Sequence, residues 1–324
     1  MRLLMLGGTG FVGRAVAEDA VRRGWEVTVF HRGRGGVPEG VAHVRLGDRE
    51  GDLAELAAGE WDAVVDTWSA APGAVAASAR ALQGRVGRYA YVSSRSVYAY
   101  PAPAGADEDA PVVEGGDGDY AQHKRGGELA AVAAYGDAAL LVRAGLILGP
   151  YEDVGRLPWW LHRVARGGRV LAPGPRDLPL QYIDARDLAG WTLDAVAAGL
   201  GGPYNLVSPP GHTTMGALLG ACADVTGGDA EFVWAEPEAV VSAGVEPWTD
   251  LPVWLPPGVM HDAMHCSNVG RAVRAGLTCR DVTETVADTW SWLRSLPGPP
   301  PQRPDRPALG LDPAVERRVL ASLA

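Results

Sequence analysis

The chain begins with a short apolar segment that leads directly into a glycine-rich turn and then into a helical pattern. Gly7, Gly10 and Gly13 are spaced three residues apart and follow the apolar run that ends at Leu6. In such a turn the first glycine permits a tight bend, the second lets the backbone approach a pyrophosphate, and the third lets the helix pack on its strand. The helix N-terminus then offers backbone N–H groups to the phosphates. We therefore predict a dinucleotide-binding turn formed by Gly7, Thr9, Gly10, Phe11, Val12 and Gly13.

Strand and helix patterns continue to alternate after this turn. The apolar segments typical of buried strands are residues 26–30, 42–46, 63–65 and 89–92. Strands that alternate with helices indicate a parallel sheet with right-handed crossovers. The predicted fold class is therefore α/β, with a doubly wound parallel Rossmann sheet.

The pattern divides the chain into three parts. We expect a dinucleotide-binding domain in residues 1–150 and a smaller C-terminal substrate lobe in residues 151–295. Part of this lobe, near residues 181–206, is expected to return to the sheet. Residues 296–324 have the composition of a proline-rich linker followed by a short terminal helix.

The end of the second strand bears on the choice of cofactor. NAD-preferring folds usually place a carboxylate there to bind the ribose hydroxyls, whereas this chain has Arg32 and Arg34. An arginine at this place suits a 2′-phosphate, so these residues predict NADP, with NAD as the alternative. A solvated turn with two incidental arginines is the competing interpretation. Asp48 and Thr67, which follow the next two strands, are further candidates for cofactor contacts.

Tyr120 and Lys124 form a Y-x-x-x-K pattern, and Lys124 is the only lysine in the chain. Residues four apart share one face of a helix, so the phenol and the ammonium point into the same space. A nearby cation favours the phenolate and lowers the tyrosine pKa from its reference of ~10. The pair is therefore a candidate for general acid/base catalysis. Taken alone the pattern is weak, and a surface helix with a chance Tyr and Lys would also show it.

Composition and charge restrict the partners. The formal net charge of −10 repels phosphate backbones, which argues against nucleic acid and against an anionic membrane surface. No apolar run has membrane-spanning length, and the immediate start of a strand pattern leaves no room for a signal peptide. We expect a cytoplasmic protein with a small-molecule partner.

The three cysteines, Cys222, Cys266 and Cys279, lack C-x-x-C spacing. They therefore indicate neither a disulfide framework nor a zinc site. His261, His265 and Cys266 could in principle hold a metal, but no glutamate in an H-E-x-x-H arrangement accompanies them. We predict no metal centre.

A family resemblance emerges once the motifs are taken in order. Ser93-Ser94-Arg95-Ser96-Val97-Tyr98 follows the fourth of these later strands, and Ser94 precedes Tyr120 by 26 residues. With the glycine turn and Y-x-x-x-K, this order resembles the extended short-chain dehydrogenase/reductases of the NAD-dependent epimerase/dehydratase group. Residues 143–150 and 181–189 resemble two later blocks of that family, so the resemblance covers about residues 1–295.

The resemblance implies a role for each motif residue. Tyr120 would be the general acid/base, Lys124 would hold the nicotinamide ribose and lower the tyrosine pKa, and Ser94 would hydrogen-bond the substrate oxygen. Ser93 is then the more suitable structural hydroxyl, and Gly145 joins the residues that contact the cofactor. Relatives of this kind usually form homodimers, here through the helix of Tyr120 and the helix expected at residues 73–82.

The substrate lobe offers weaker signals. Trp159, Trp160, Trp248 and Trp254 are candidates to line a substrate pocket, with burial in the core as the alternative. A run of five arginines between residues 156 and 176 is a candidate to bind an anionic substrate, although solvated helix faces are the commoner explanation for such runs.

Two departures from the family pattern bear on the substrate. Leu146 and Leu180 stand where nucleotide-sugar epimerases carry an Asn and an Arg that contact the diphosphate. Together with Arg32, this favours an NADPH-dependent reductase of a small ketone or aldehyde. A sugar epimerase or dehydratase with bound NAD(P) is the main alternative, and a non-catalytic relative that senses the dinucleotide or binds RNA is a second.

Overall fold

The computed structural model describes residues 1–33, 35–51, 53–304 and 306–323, so Arg34, predicted to help bind the cofactor, lies outside the described residues. The strands are β1 Arg2–Leu6, β2 Glu26–His31, β3 His43–Leu46, β4 Trp61–Asp66, β5 Val86–Ser94, β6 Ala139–Ala144, β7 Ile147–Leu148, β8 Gly168–Pro173, β9 Pro179–Leu180, β10 Ile183–Asp184, β11 Gly202–Leu206, β12 Thr213–Thr214 and β13 Ala230–Ala235. The α-helices are α1 Phe11–Arg22, α2 Ala54–Ala57, α3 Gly73–Ala81, α4 Tyr120–Tyr135, α5 Arg156–Ala165, α6 Ala185–Ala197, α7 Met215–Thr226, α8 Pro237–Ser242, α9 Val259–His265, α10 Gly270–Arg274, α11 Val282–Ser295 and α12 Pro313–Ser322.

Within these ranges, seven strands form one parallel sheet in the order β11-β6-β5-β4-β1-β2-β3. The prediction of a doubly wound α/β fold is confirmed. The strand order reverses between β1 and β4, so the loops after these strands diverge and leave a crevice at the carboxyl edge of the sheet. The glycine turn and Thr67 both lie at this edge, because they directly follow β1 and β4.

Helices cover both faces of the sheet. Helices α1 and α6 pack together on one face, over a core that includes Leu3, Val16 and Leu188. Helices α3 and α4 pack together on the other face, over a core that includes Leu4 and Tyr91. Strands buried on both faces need apolar side chains at successive positions, which explains the continuous run at Leu3–Leu6.

The second lobe has a core of its own. Strands β8 and β13 pair in parallel, and α5, α7, α11 and α12 contribute to the surrounding apolar cluster. Part of the sequence after β8 packs on the seven-stranded sheet rather than in the second lobe. Helix α6 covers one face of that sheet, and β11 forms one of its edges.

The terminal helix α12 is an integral part of the second lobe. Val319 and Leu320 are buried in its core. Glu316 accepts hydrogen bonds from the Arg163 guanidinium at 2.7 Å and from the Leu171 backbone N–H at 3.1 Å. Both members of this ion pair are buried, so α12 fixes the end of the segment that connects it to α11.

Among the described residues, no helix combines the length and the apolar character that a bilayer span requires.

Candidate active site

The glycine turn has the geometry of a phosphate cradle. Gly7 has a φ of +116°, a conformation that L side chains rarely adopt. A Cβ on Gly13 would lie 2.7 Å from the backbone nitrogen of Gly8, so only glycine lets α1 approach the turn this closely. No side chain caps the N-terminus of α1 at Gly10, which leaves its first N–H groups directed at the crevice. These residues fit the pyrophosphate of a dinucleotide.

Helix α4 carries the Tyr120 and Lys124 pair from its first residue onward. Asp119 caps it by accepting a hydrogen bond from the Gln122 backbone N–H, while the Gln122 side chain accepts one from the Asp119 N–H. Such a capping box fixes the first turn, in which Tyr120 lies. Tyr120 is half-buried and Lys124 is almost fully buried on the side facing the sheet.

Two backbone carbonyls hold the Lys124 ammonium. It donates hydrogen bonds to the oxygens of Trp68 at 2.6 Å and Val92 at 2.7 Å, and it lies 4.8 Å from the centre of the Tyr91 ring. Burial lowers the pKa of Lys124 to about 7, and the nearby guanidinium groups of Arg303 and Arg306 act in the same direction. The compact ammonium fills a space between the ends of β4 and β5 that a planar guanidinium does not match.

A buried ion pair supports the Trp68 carbonyl. The Arg49 guanidinium donates two hydrogen bonds to the Asp66 carboxylate, at 2.6 and 2.8 Å, and Tyr89 donates a third at 2.6 Å. The same carboxylate accepts from the Trp68 backbone N–H at 2.9 Å. Asp66 therefore orients the residue that binds the lysine, and the Arg49 guanidinium keeps the pKa of Asp66 low.

A second buried network ties α4 to the strand that carries Ser94. The Glu128 carboxylate accepts hydrogen bonds from Ser93 Oγ at 2.8 Å and from Arg143 Nε at 2.9 Å. Arg143 also donates to the Tyr98 hydroxyl at 3.1 Å. Ser93 is thus a structural hydroxyl. The network fixes α4 relative to β5 and β6.

Ser94 lies beside this network but faces the cavity. Its side chain is half-buried, and its oxygen accepts a hydrogen bond from the Ser96 N–H at 3.1 Å. Its hydroxyl donates to Ser96 Oγ at 3.1 Å. Because a hydroxyl rotates about its C–O bond, the same donor can turn to a ligand oxygen in the cavity.

One cavity of about 600 Å³ joins most of the predicted site residues. The predicted residues that line it are Gly10, Phe11, Val12, Gly13, Thr67, Ser94, Tyr120, Lys124, Gly145 and Trp248. Arg32 and Asp48 are exposed near the ends of β2 and β3 and do not line this cavity. Gly7 and Thr9 belong to the turn itself rather than to the cavity wall.

Of the four tryptophans that were candidates to line the pocket, the structure places Trp248 in the cavity lining and the other three outside it. Trp160 and Trp254 are fully buried, and their indole N–H groups donate to the carbonyls of Pro252 and Gly174. Both fill the core of the second lobe, Trp160 from the buried face of α5 and Trp254 from the segment between α8 and α9. Trp159 packs edge-on against Trp160 and lies against Gly310, away from the cavity lining.

Sequence reasoning missed most of the cationic wall of this cavity. Arg95, Arg156, Arg303 and Arg306 all line it. Of the arginine run between residues 156 and 176, only Arg156 does so. Arg163 pairs with Glu316, and the other three are exposed. Arg303 and Arg306 lie in a segment whose proline-rich composition indicated only a linker, so no local pattern pointed to them.

The histidines considered as metal ligands have other partners. His265 accepts at Nδ1 from the Gln181 N–H at 3.0 Å and lies 3.2 Å at Nε2 from the Val253 carbonyl, so both ring nitrogens are engaged. Ligand atoms of His261, Asp262 and Cys266 lie within 4.8 Å of one another. His261 Nε2 lies 2.9 Å from the Pro179 carbonyl, a contact that explains its burial without a metal.

The model of the NAD dependent epimerase/dehydratase family matches residues 3–206, more than half of the 324-residue chain. The chain belongs to this family. The predicted resemblance and the prediction of a nicotinamide-dependent enzyme are thereby confirmed. A comparison with curated proteins finds no match.

Solved structures of the same fold include several sugar-nucleotide epimerases. A UDP-glucose 4-epimerase from Thermotoga maritima, solved with UDP-glucose, is 18% identical with a TM-score of 0.67, and the match covers 91% of this chain and 99% of that chain. A UDP-glucuronic acid 4-epimerase from Bacillus cereus in complex with NAD is 12% identical with a TM-score of 0.65 over the same shares. A UDP-glucose 4-epimerase from Thermus thermophilus in complex with NAD is 21% identical with a TM-score of 0.62, again over 91% and 99%. At these identities the likeness establishes the fold, and the NAD in these structures lends no support to a preference for NADP.

Proposed function

We propose that the protein catalyses a nicotinamide-dependent oxidation and reduction at a hydroxyl-bearing carbon of a sugar, as an epimerase or dehydratase. The observation that carries the proposal is one cavity in which Tyr120, Lys124 and Ser94 meet the glycine turn. The family and the neighbouring epimerase structures support this alternative over the ketone or aldehyde reductase favoured by the sequence departures.

Tyr120 has the position of the group that moves the proton. As a phenolate it takes the proton of a substrate hydroxyl, and as a phenol it returns a proton to the resulting carbonyl oxygen. When bound, the nicotinamide dinucleotide supplies hydride exchange with the substrate carbon. Tyr120 therefore needs only to hold the substrate oxygen in line, which its capped position in the first turn of α4 favours.

Lys124 and Ser94 assist from two sides. The Lys124 ammonium lies one helical turn from Tyr120 on the same face of α4. Its anchorage on two carbonyls leaves one N–H to bind a ribose hydroxyl. Ser94 can donate a hydrogen bond to the substrate oxygen as negative charge develops on it.

The second candidate is an NADPH-dependent reductase of a small ketone or aldehyde. Leu146 lines the cavity and Leu180 is buried, so neither place offers a polar contact to a diphosphate. Arg32 is exposed near the end of β2, where it is available to a 2′-phosphate.

Product analysis separates the two candidates. Purified protein would be incubated with UDP-glucose, UDP-glucuronate and a panel of ketones and aldehydes, each with NAD(H) or NADP(H), and products identified by NMR. An inverted or dehydrated sugar supports the proposal, particularly if the protein retains NAD through purification. Stoichiometric NADPH oxidation with carbonyl compounds alone, without conversion of any sugar, would overturn it in favour of the reductase.

We further propose a homodimer formed through α3 and α4. These helices pack together within the chain, and Leu129 and Val132 on α4 are exposed apolar residues one turn apart. Light scattering that gives a monomer mass at micromolar concentration would reject the dimer.

Three free cysteines suit a reducing compartment, which supports action in the cytoplasm.

A further inference from the structure

The segment between α11 and α12 lies across the mouth of the cavity rather than hanging free. We refer to residues 296–304 and 306–312 as the arm. The Arg303 backbone N–H donates to the Asp153 carbonyl at 2.9 Å, and the Gln302 side chain donates to the Val154 carbonyl at 3.1 Å. Further along, the Gly310 N–H donates to the Thr249 carbonyl at 2.8 Å. Because α12 is locked by the Glu316 and Arg163 pair, the arm is held at its middle and at its far end.

The arm places two guanidinium groups beside the catalytic residues. The Arg306 guanidinium carbon lies 4.7 Å from the centre of the Tyr120 ring. Arg303 Nη2 lies 3.4 Å from Ser69 Oγ, in the loop after β4. The arm thus contributes to a cavity whose catalytic residues lie almost two hundred residues earlier in the chain.

The cavity wall is strongly cationic although the whole protein is acidic. The basic residues on this wall are Arg95, Lys124, Arg156, Arg303 and Arg306, whereas Asp153 is the acidic residue on it among those described. Arg95 serves a structural purpose, since it donates to the carbonyls of Ala263 and Met264. In a protein with a net charge of −10, such a cleft concentrates positive potential at one place and attracts anions.

Arg156 and Arg306 form the part of this wall that is best suited to a ligand. Arg156 lies 5.5 Å from the centre of the Trp248 ring, and its Nε is buried without a hydrogen-bond partner within the described chain. No carboxylate among the described residues forms an ion pair with the Arg306 guanidinium. Burial is the main cause that lowers the pKa of Arg156 and of Lys124, and the Arg306 charge acts in the same direction, so an anion between these groups would relieve their mutual repulsion.

We propose that the arm is a substrate-recognition element, in which Arg306 together with Arg156 binds an oxyanion of the substrate, a carboxylate or a phosphate. This inference rests on the proposed function and narrows its substrate class to anionic sugars. Because Arg306 stacks near the Tyr120 ring, the bound oxyanion lies on the substrate side of the catalytic tyrosine. A planar guanidinium binds carboxylate and phosphate through paired hydrogen bonds, so both sources of the charge fit.

Calorimetric titration of the NAD-bound protein tests the proposal and separates the two sources. The probes are glucuronate for a carboxylate, UDP-glucose for a diphosphate and glucose as the neutral reference. Wild type, Arg306→Gln, Arg156→Gln and the control Arg317→Gln would be compared, the last because Arg317 is exposed on α12 and loses the same charge. We expect at least one anionic probe to bind more than tenfold tighter than glucose. Arg306→Gln and Arg156→Gln should each weaken that binding on the order of 10- to 100-fold, and Arg317→Gln should leave it unchanged.

Three results would overturn the proposal. The first is equal binding of anionic and neutral probes, and the second is an equal effect of Arg317→Gln and Arg306→Gln. The third is a loss of NAD affinity in Arg306→Gln as large as any loss of probe affinity, because the arm would then contact the cofactor instead. Thermal unfolding of each variant shows whether the fold is retained, and Arg306→Lys, which keeps the charge, should recover part of the binding.

Turnover distinguishes this inference from the proposed function. If anionic probes bind through Arg306 and yet no sugar is converted, the proposed function fails while the recognition role stands. If an anionic sugar is converted with equal kcat/KM by wild type and Arg306→Gln, the recognition role fails while the proposed function stands.

Discussion

The two ends of the cavity are built in different ways. At the cofactor end, loops that directly follow β1, β4 and β5 meet at the carboxyl edge of one sheet. At the substrate end, the start of α5, the loop around Trp248 and the arm converge from places far apart in the chain. The first end relies on backbone N–H groups and close glycine contacts, and the second relies on long cationic side chains.

The two ends of the cavity therefore differ in what stabilises them and in which substitutions they tolerate. Lys124 and helix α4 are fixed by the buried networks around Asp66 and Glu128, which leave little freedom at Lys124. At the substrate end, Arg303 and Arg306 lie on an arm that is fixed by backbone hydrogen bonds and by α12, and Arg156 lies at the start of α5. Substitutions can therefore alter substrate recognition at the second end without disturbing the chemistry at the first.

Replacing Tyr120 with Phe should give the largest loss of activity. The variant lacks the proton-transfer group, so kcat should fall by roughly 10²–10⁴-fold on any converted sugar. NAD affinity, measured by calorimetry, should stay within about twofold, because the phenol acts on the substrate oxygen. A variant that keeps the wild-type kcat would show that Tyr120, at the cofactor end, does not transfer the proton.

Removing one partner of a buried ion pair should affect the two ends differently. Arg143→Leu leaves the buried Glu128 carboxylate with Arg125 as its remaining guanidinium partner, so it should cost roughly 1.5–3 kcal/mol of unfolding free energy and reduce NAD affinity with it. Arg163→Leu leaves the buried Glu316 carboxylate without an ion-pair partner among the described residues, so it should cost roughly 3–5 kcal/mol, but its effect on binding should fall on substrate affinity through the arm. Denaturant titration measures the loss of stability in each variant, and calorimetry measures its affinity for NAD and for substrate. If the two variants lose the same affinities, the two ends of the cavity are not stabilised separately.

The adjacent residues Ser93 and Ser94, at the cofactor end, allow a structural hydroxyl to be compared with a catalytic one. Ser94→Ala removes a donor to the developing oxyanion, so kcat should fall on the order of 10–10³-fold with little change in stability. Ser93→Ala removes a buried hydrogen bond to Glu128, so unfolding free energy should fall by about 1–3 kcal/mol with a smaller change in kcat. Steady-state kinetics and urea unfolding of both variants should show opposite profiles; the reverse assignment would move the catalytic hydroxyl to Ser93.

The buried lysine predicts a pH dependence of stability. The pKa of Lys124 is about 7 in the folded protein and 10.5 by reference, so between these values the unfolded chain binds more protons. Its contribution to the free energy of unfolding therefore decreases as pH falls from about 10.5 to about 7 and is constant below that. Lys124→Met should lack this slope, so its stability relative to wild type should increase as pH falls through this window. A relative stability that does not change with pH would mean that the ammonium is well solvated.

The exposed Arg32 tests the outer margin of the cofactor end. If it binds a 2′-phosphate, wild type should prefer NADP over NAD about tenfold, and Arg32→Asp should invert the preference. Calorimetric titrations with both dinucleotides measure this directly. Equal or tighter binding of NAD by wild type would show that Arg32 does not bind a 2′-phosphate.

The sheet half was predictable because its function depends on short local patterns. The spacing of Gly7 and Gly13 follows from a close backbone contact, and that of Tyr120 and Lys124 follows from one helical turn. The substrate end was not predictable in this way. Trp160 and Trp248 look alike in sequence, and only the packing of α5 buries the first and leaves the second at the cavity. Arg306 reaches Tyr120 through the docking of α12, which no local pattern encodes.

A crystal structure of the protein with NAD and glucuronate or UDP-glucose would show where each ligand group binds. We expect the pyrophosphate at the start of α1, a ribose hydroxyl at the Lys124 ammonium and the substrate oxyanion at the Arg306 guanidinium. A dinucleotide whose pyrophosphate lies on the arm arginines, with its nicotinamide ring away from Tyr120, would contradict this expectation.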